Sequence, residues 1–526
     1  MVEIEKVKRP IRFFNTTGPC NPWDHYMLPP EDRLVGAQLH RYIRDHLYWV
    51  LHAPRQTGKT TFLQSWMREI NAGDEAIACY VSVERCQGVA DAERAMPAVG
   101  DAVRTWAERS GLPVPPVEQG NPQSLLSGIL GNWAKLIAPK PLVVLFDEVD
   151  VLEGEALISF LRQLRDGFAG RGPGIFPASI ALVGMRDLKD YISMAKDGAA
   201  PNPGSPFNVK SDSAHLSNFE KPDIAKLFTQ RTEETGQAIS QEALDYVYEQ
   251  SQGQPWIVNS LFQRATMRVL DEDSREPVTL DHVMQAREQM ILARETHLDA
   301  LAYRLEDPRV RKVMETLITG EPDTSLAESD AFRLCLDLGL VSITKGTPGV
   351  ANPMYREVLA RQMTYSTQMA IPEIEWEWRK ADGSLDMDAL LREFQEFWRE
   401  NSEIWEEKSN YTEAFPHLLL MAFLQRVLNG GGRIEREYAA GRGRMDLYVE
   451  YQDGKYIIEV KLIHEKQSPE QVRAKGLQQI AKYRANRAPA VPAYLVIFDR
   501  RAKVKELAWE DRLRWTQEGA VTVVGC

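Results

Sequence analysis

Cysteine is scarce in this chain of 526 residues, and the few cysteines lie far apart. The five stand at positions 20, 79, 86, 335 and 526, and no two of them form a CxxC pair. Structural zinc sites need clustered ligands of that kind. The spacing therefore argues against a structural zinc site and fits a reduced, cytoplasmic compartment.

Long apolar runs are absent as well. No stretch reaches the roughly 18 consecutive apolar residues that a transmembrane helix needs, and the opening MVEIEKVKRPIRFF lacks the apolar core of a signal peptide. Neither an internal repeat nor a low-complexity tract is visible. We therefore expect a cytoplasmic protein that does not engage a membrane, and the length predicts two to four domains.

Charge is unevenly distributed along the chain. The formal net charge is −12, yet residues 431–526 hold 18 Lys and Arg against 13 Asp and Glu. A basic segment on an acidic protein suggests a polyanionic partner for that segment. Ordinary fluctuation in surface charge is an equally open interpretation of this feature alone.

A phosphate-binding loop is predicted at residues 53–61, APRQTGKTT, which follow the strand YWVLHA and precede the helical FLQSWMREI. The pattern G-x-x-x-x-G-K-[ST] is met except at its first position, where Ala53 stands. Backbone N–H groups of such a loop and the helix N-terminus surround an anion. We expect ATP and Mg²⁺ here, with Lys59 on the β- and γ-phosphates and Thr60 on the metal. Gly58 and Thr61 complete the predicted contacts.

Two acids follow the next apolar strand, in LVVLFDEVD (142–150). Such a run suits the centre of a parallel sheet. Asp147 is predicted to hold Mg²⁺ through water, and Glu148 to polarise the attacking water. A third strand ends in GMRD, where Arg186 is either a γ-phosphate sensor or a member of a surface salt bridge.

These motifs, with SPFNV and GQPWIV (253–258), resemble the AAA-like, STAND-type P-loop ATPases of prokaryotes. The resemblance implies an ATPase core, a helical lid and a winged helix. The segments GPCNPWDHY and ANPMYREV also resemble a bacterial group that is similar over nearly the whole chain. That likeness implies an N-terminal arm that helps to seat the nucleotide, with His25 and Tyr26 as candidates. No clear arginine finger is present, so activation by oligomerisation stays open, and the resemblance implies a homo-oligomer because ATPases of this type often assemble.

Near the C-terminus, residues 441–462 read GRGRMDLYVEYQDGKYIIEVKL, two strand patterns around Asp453-Gly454. A two-residue turn at that dipeptide places Tyr448 opposite Glu459 and Asp446 opposite Lys461. Carboxylates brought together repel unless they share a cation, and a hard ion such as Mg²⁺ fits. Lys461 would position the nucleophile. The alternative is an exposed face with a cross-strand ion pair of Asp446 and Lys461.

The surrounding pattern narrows that choice. The helical PEQVRAKGLQQIAKYRANR places Gln479 and Tyr483 one turn apart and carries basic residues suited to a phosphate backbone. The ordered set resembles the PD-(D/E)XK nuclease superfamily over about 410–500, although Arg444-Met445 replaces the usual proline. The resemblance implies catalytic roles for Asp446, Glu459, Lys461 and Gln479, and metal ligation by Glu413, Asp446 and Glu459, with Mn²⁺ as an alternative to Mg²⁺.

The predicted fold class is multi-domain α/β, with a P-loop NTPase parallel sheet, a helical lid, a winged helix and a C-terminal restriction-endonuclease-like α/β domain. The predicted segments are an N-terminal arm at 1–35, an ATPase core at 36–215, a lid at 216–300, a winged helix at 301–370, an acidic aromatic helical linker at 371–410 and a nuclease-like domain at 411–526.

The sequence thus predicts an ATP-hydrolysing, Mg²⁺-dependent nuclease whose ATPase module regulates or positions a phosphodiesterase site. Its partner would be nucleic acid, with DNA favoured over RNA. Analogy suggests a role in defence against foreign nucleic acid, in a mobile element or in repair. Two alternatives stay open: a nucleotide-switched scaffold that binds nucleic acid, and a motor without nuclease activity.

Overall fold

A computed structural model describes residues 11–118, 120–185, 212–293, 296–319, 324–370, 378–408, 419–424, 432–436, 439–440, 443–444, 447–452, 454–463, 467–487, 491–499, 501, 504 and 507–526. The chain divides into two compact units. One comprises Met1–Glu295 with two short later segments, and the other holds most of the remainder. Each unit is described separately below.

The first unit is built on a six-stranded sheet of order β1-β6-β2-β5-β4-β3. All neighbours are parallel except β1, which runs antiparallel to β6. Parallel strands with both faces covered read as continuous apolar runs, as β4 does with every residue buried. The strands are β1 (Leu34–Val35), β2 (Tyr48–His52), β3 (Ile77–Ser82), β4 (Leu142–Asp147), β5 (Ser179–Gly184) and β6 (Asp212–Leu216).

Helices cover both faces of this sheet because successive strand residues point to opposite sides. Trp49 and Leu51 pack on one face with α1 and α2, while Tyr48 and Val50 pack on the other with α3, α4 and α5. The helices are α1 (Leu39–Arg44), α2 (Lys59–Ala72), α3 (Ala92–Arg109), α4 (Leu125–Ile137) and α5 (Gly154–Phe168), with 3₁₀ turns at Pro30–Arg33, Glu84–Cys86 and Val149–Val151.

A helical region follows β6. It contains α6 (Lys221–Thr235), α7 (Gln241–Ser251), α8 (Pro255–Arg264), a π-helical turn at Ala265–Val269 and α9 (Leu280–Leu292). Gly253 and Pro255 set the start of α8. Gly253 has φ +75°, and its carbonyl accepts a 2.8 Å hydrogen bond from the Phe219 N–H. A Cβ on Gly253 would lie 1.9 Å from the Phe219 oxygen, so only glycine fits.

The N-terminal segment packs against these helices through aromatic side chains. Phe14 is buried, and its ring lies within 5.7 Å, centroid to centroid, of the rings of Tyr26, Phe228 and Phe262. Aromatic burial of this kind dominates local packing energy. The Gln263 amide also donates to the Phe14 carbonyl. This segment is therefore an integral part of the first unit.

Residues 296–319 and 324–370 form helices and a hairpin, largely in the range predicted as a winged helix. The elements are α10 (Thr296–Arg304), α11 (Pro308–Thr319), a 3₁₀ turn (Thr324–Glu328), α12 (Asp330–Asp337), β7 (Val341–Thr344), β8 (Thr347–Val350) and α13 (Pro353–Ala370). Lys345 and Gly346 both have positive φ in the β7–β8 turn, as a two-residue hairpin requires. The assignment as a winged helix stays a prediction.

The C-terminal part contains a mixed sheet of order β15-β16-β14-β13-β12-β9. β13, β14 and β16 run parallel, and the outer pairs are antiparallel. The strands of this sheet are β9 (Gly432–Arg436), β12 (Leu447–Tyr451), β13 (Gly454–Ile463), β14 (Ala493–Asp499), β15 (Trp515–Glu518) and β16 (Val521–Gly525). β10 (Ala439–Ala440) and β11 (Gly443–Arg444) pair in a separate two-stranded sheet. The helices are α14 (Met387–Lys408), α15 (Pro469–Arg487) and α16 (Trp509–Arg512), and residues 419–424 are also helical.

α14 packs on one face of this sheet, within the range that the sequence predicted as a helical linker. Phe394 and Trp398 make edge contacts with Phe498 of β14. The Tyr494 hydroxyl donates to Asp388, and the Trp515 indole donates to Gln395. The aromatic stripe of the predicted linker is thus a packing surface for the sheet, whereas the predicted domain boundaries themselves stay predictions.

The β12–β13 hairpin differs from the predicted register by two residues. Tyr448 pairs with Ile457 instead of Glu459, and Tyr451 pairs with Gly454. The turn falls one residue earlier than predicted because Gln452 takes the positive φ, 49°, while Gly454 belongs to β13. A shift of two leaves every side chain on its predicted face. The predicted opposition of Asp446 and Lys461 lies outside the described residues.

No helix among the described residues is long and apolar enough to cross a membrane.

Replacing Gly253 with alanine should destabilise the first unit by more than about 2 kcal/mol, because a positive φ and a backbone clash combine. Gly236→Ala is the matched control, since Gly236 has φ +78° but a Cβ there would meet no atom within 4 Å. Thermal unfolding of the purified chain should show a larger drop in midpoint for Gly253→Ala. Equal drops for both variants would contradict the clash.

Candidate active sites

The loop after β2 has the geometry of an anion site. Gly58 has φ +94° and caps α2, so that the first N–H groups of this helix face the loop. Position 53 does not require glycine, because the φ of Ala53 is not positive. The Lys59 ammonium donates to the carbonyls of Ala53 (2.8 Å) and Pro54 (3.0 Å) across the loop. Loop, lysine and helix terminus thus converge, as predicted for phosphate binding.

Asp147 is fully buried at the end of β4 and accepts three hydrogen bonds. The Thr60 hydroxyl donates to Oδ2 over 2.7 Å, and the Tyr80 hydroxyl donates to the same oxygen over 3.0 Å. The Glu148 N–H donates to Oδ1. A hydroxyl and a carboxylate side by side are hard oxygen donors of the kind that Mg²⁺ prefers. The predicted pair of Thr60 and Asp147 therefore fits that ion.

Glu148 occupies a strained position beside two other acids. Its φ is +59°, which is uncommon for a residue with a Cβ. Burial raises the pKa of Glu148 to about 7, with Asp147 and Asp150 adding to the rise while Lys59 and Arg55 oppose it. Burial likewise lowers the pKa of Lys59. A carboxyl that titrates near neutral pH suits a general base.

A pocket of about 470 Å³ opens on this loop. Its walls come from the phosphate loop, the 3₁₀ turn after β3, the N-terminal segment and the start of α8. The lining residues are Asn15, Thr16, Gly18, Pro19, Cys20, Arg55, Gln56, Gly58, Lys59, Thr60, Thr61, Glu84, Gln87, Glu148, Val151, Pro255, Trp256 and Asn259.

The N-terminal arm reaches the pocket through residues 15–20, whereas His25 and Tyr26 do not line it. The Tyr26 ring packs on Phe14 instead, and the His25 ring stands edge-on to Phe13. The ring contacts of these two side chains hold the arm in place. Other residues of the arm support the prediction that it helps to form the site. The Cys20 N–H donates to the Thr61 hydroxyl. Arg186 lies outside the described residues.

Arg33 contributes to the loop, although no motif in the sequence indicated it. It is buried and donates to the Thr57 carbonyl in the loop and to the Ser217 carbonyl after β6, each over 2.8 Å. Its guanidinium lies 4.8 Å from the centre of the Phe219 ring. Burial lowers the pKa of Arg33 to about 10. Arg33 and Tyr80 are functional neighbours that only tertiary contacts reveal.

In the C-terminal sheet, Glu459 of β13 is fully buried, and its Oε1 accepts a 2.7 Å hydrogen bond from the Lys461 ammonium. Glu459 and Lys461 lie on the same face as Ile457, because they are two and four residues further along the strand. Ile457 packs with Ile480 of α15 and Leu495 of β14. The charged pair therefore sits on the face that α15 covers, whereas the sequence left open an exposed face.

α15 presents the predicted glutamine and tyrosine to this sheet. Tyr483 is buried in the cluster with Ile457. Gln479 lies one turn before it, and its Oε1 is buried without a hydrogen bond among the described residues. A Cβ on Gly476 would approach Leu495 to 2.6 Å, so this glycine allows close contact of helix and strand.

Part of the predicted basic surface of α15 is engaged within the fold. Arg473 donates to Thr516 and forms an ion pair with Glu518, and Arg484 donates to the Ala520 carbonyl. Lys475 and Lys482 are exposed. Contacts with the β15–β16 hairpin thus reduce the surface that the sequence assigned to a phosphate backbone.

The predicted ligands Asp446 and Glu413 lie outside the described residues. Within the part of the chain that the structure describes, no group of three or more acidic, histidine or cysteine side chains could hold a metal. Glu459 supplies one buried carboxylate, which is a suitable donor for a hard divalent ion. The complete predicted ligand set stays a prediction.

Comparison with known proteins identifies the C-terminal region. Residues 411–497 match a family model described as the PD-(D/E)XK nuclease superfamily, and this range contains β12, β13, α15 and the pair of Glu459 and Lys461. No curated protein sequence matches the chain significantly.

Solved structures resemble the chain over about two thirds of its length. A Walker-type ATPase of Pyrococcus abyssi has a TM-score of 0.46 at 14% identity, covering 66% of this chain and 99% of its own. The RuvB Holliday junction branch migration motor of Thermotoga maritima has a TM-score of 0.34 at 15% identity, with 61% and 90% covered. Cdc6p of Pyrobaculum aerophilum has a TM-score of 0.35 at 13% identity, with 62% and 91% covered.

The chain therefore joins a parallel-sheet, P-loop ATPase-like region to a C-terminal nuclease-superfamily domain. The domain at 411–497 belongs to the PD-(D/E)XK nuclease superfamily. The predicted resemblance to an ATPase fused to such a nuclease is confirmed, and so is the predicted multi-domain α/β fold class with a parallel-sheet P-loop region and a C-terminal nuclease-superfamily domain. The narrower assignment to the STAND type stays a prediction.

The raised pKa of Glu148 should make the first unit less stable as pH rises from about 4.5 to 7. Across that range the unfolded carboxyl has lost its proton and the folded one retains it, so unfolding releases a proton. Glu148→Gln should remove this decline. Relative to wild type, the free energy of unfolding of the variant should therefore rise by on the order of 2 kcal/mol between pH 4.5 and pH 8. The midpoints of urea unfolding of wild type and variant at both pH values measure this difference. Glu84→Gln, at an exposed acid of the same pocket, should behave as wild type; an unchanged pH profile in Glu148→Gln would refute the assignment.

Proposed function

We propose that this protein is an ATP-hydrolysing nuclease in which the P-loop region regulates or positions a Mg²⁺-dependent phosphodiesterase site in the C-terminal domain. Mn²⁺ is an alternative ion at the second site. The substrate is nucleic acid, with DNA favoured over RNA. The protein acts in the cytoplasm, as a homo-oligomer, in defence against foreign nucleic acid.

The observation that carries the nuclease proposal is the ion pair between the fully buried Glu459 and the partly buried Lys461. Removing two charges from water is costly, and an apolar pair of similar volume is often at least as stable. Ile457 and Leu495 next to the pair are apolar, so packing alone would favour an apolar residue at 459 too. The pair lies within the range that matches a nuclease superfamily. A catalytic use explains why the charges are kept.

Each residue then has a distinct chemical task. Glu459 would hold a divalent ion, together with the predicted ligands Asp446 and Glu413. Such an ion, when bound, supplies positive charge to a phosphodiester oxygen and lowers the pKa of bound water. Lys461 would orient the attacking water, since its ammonium already bonds to the Glu459 carboxylate. Gln479, whose Oε1 is buried and which lies on the helix that covers this face, would support that arrangement.

ATP hydrolysis is supported by the loop and the two acids of the first unit. The N-terminus of α2 and Lys59 would bind the phosphates, while Thr60 and Asp147 would hold Mg²⁺. Glu148, with its pKa near 7, would accept a proton from the attacking water. Arg186 would sense the γ-phosphate. The pocket of about 470 Å³ beside these groups is large enough for a nucleotide.

Glu459→Gln and Lys461→Met should each lower cleavage at least about 100-fold, the effect of losing one group that stabilises the transition state. Glu450→Gln and Lys455→Met are matched controls, because these residues form a partly exposed pair on the same hairpin and should cleave as wild type. Supercoiled, linear and single-stranded DNA and RNA are tested with Mg²⁺ or Mn²⁺, with and without ATP. A wild-type protein that cuts none of them would refute the proposal, as would equal losses in the controls.

Lys59→Ala should abolish ATP hydrolysis and remove any response of cleavage to ATP, because the phosphates lose their cation. Hydrolysis by the wild type should rise with pH through about 7, as Glu148 ionises. Lys140→Ala, at a partly exposed lysine paired with Asp74, is the control and should hydrolyse ATP normally. Phosphate release and cleavage are measured on the same samples. Cleavage that still responds to ATP in Lys59→Ala would contradict regulation of the nuclease site through the phosphate loop.

A further inference from the structure

The pocket beside the phosphate loop has a second wall that phosphate binding does not explain. That wall consists of arm residues 15–20 and the first turns of α8. We propose that Asn259 on α8 recognises the base of the nucleotide, with its Oδ1 accepting a hydrogen bond from the 6-amino group of adenine. The inference rests on the proposed binding of ATP in this pocket.

The orientation of the Asn259 amide follows from its helix. Its Nδ2 donates to the carbonyl of Pro255, one turn earlier, over 2.9 Å. A carbonyl oxygen can only accept, so the nitrogen must face Pro255. The side chain is therefore fixed with Oδ1 as its remaining polar atom, and that atom can only accept a hydrogen bond.

Asn259 stands out among the residues that line the pocket, because its side chain carries a buried acceptor without a partner in the described part of the chain. The residue is 7% exposed, and Oδ1 is buried with no hydrogen bond among the described residues. Native structures pair nearly all such buried polar atoms, and an exception calls for a ligand, a water or a functional reason. Other polar side chains of this wall are engaged: Asn15 donates to the Gly18 carbonyl, and the Thr16 hydroxyl donates to Gln263.

The remaining lining suits a purine ring. The Trp256 indole N–H donates to the Thr16 carbonyl over 3.0 Å, which holds the aromatic ring at the pocket wall. Aromatic faces stack on nucleic-acid bases without regard to sequence. Pro19 and Pro255 add apolar surface. Stacking would accept any base, so discrimination falls to a polar group at the ring edge.

An acceptor at that edge selects among purines. Adenine carries an amino donor at position 6, whereas guanine carries a carbonyl oxygen there, which would repel Oδ1. Sites built around a hydrogen bond to a ligand reject analogues that lack the partner, because the buried group then stays unpaired. The geometry thus assigns Asn259 as a determinant of specificity for adenine nucleotides.

The test edits the ligand and the residue together. Isothermal titration of the full chain measures binding of ADP, of purine riboside diphosphate, which has hydrogen in place of the 6-amino group, and of 2′-deoxy-ADP. Wild type should bind ADP about tenfold more tightly than purine riboside diphosphate, the effect of one neutral hydrogen bond. Asn259→Ala should bind ADP about tenfold more weakly and bind both purines equally.

Ser260→Ala is the matched control. Ser260 is the next residue, and its hydroxyl is also buried without a hydrogen bond among the described residues, but it does not line the pocket. This variant should keep the wild-type preference for ADP.

Several outcomes would overturn the proposal. One is a preference for ADP over purine riboside diphosphate that survives in Asn259→Ala. Another is an Asn259→Ala variant that loses only a preference for ADP over 2′-deoxy-ADP, which would assign Oδ1 to the ribose. If the variant does not fold, equal affinities of wild type for ADP and purine riboside diphosphate would overturn it alone. A wild type that binds neither nucleotide would overturn the proposed ATPase function as well.

Discussion

The first unit depends on one buried carboxylate. Asp147 has no exposed surface, and an uncompensated charge there would be strongly destabilising. Its compensation comes from three elements: Thr60 at the start of α2, Tyr80 on β3 and the backbone of Glu148. These bonds join the helix that follows the phosphate loop to the centre of the sheet. The same interaction therefore stabilises the fold and places the oxygen donors of the candidate Mg²⁺ site.

The C-terminal sheet repeats this principle with a different partner. Glu459 is buried in an apolar layer, and the ammonium of Lys461, two residues along the same strand, compensates its charge. α15 covers that face, and Gly476 permits its close approach to β14. In both units a charge lies within the core because the strand that carries it is held in place by apolar neighbours. Each charge can then act on a ligand with little competition from water.

Local patterns in the sequence were sufficient to predict many residues of both candidate sites. The glycine and lysine of the phosphate loop, the acids after β4 and the faces of the β12–β13 hairpin follow from chain-neighbour geometry, which periodicity and turn chemistry report. Even the two-residue error in register left Glu459 and Lys461 on the predicted face, because strand side chains alternate with period two. Turn position was harder to predict, since Gln452 adopts a positive φ that its residue type does not favour.

The amino-acid sequence identifies each motif and its secondary-structure setting. Tertiary structure alone decided which distant residues complete the sites. Arg33 and Tyr80 meet the loop and Asp147 through packing of separate elements, and Trp256 meets the arm over 240 positions. Tertiary packing also determines that α15 covers Glu459 and that the Tyr26 ring is buried against Phe14 outside the pocket. Such contacts depend on how apolar surfaces are buried across the whole unit, and no local pattern records that.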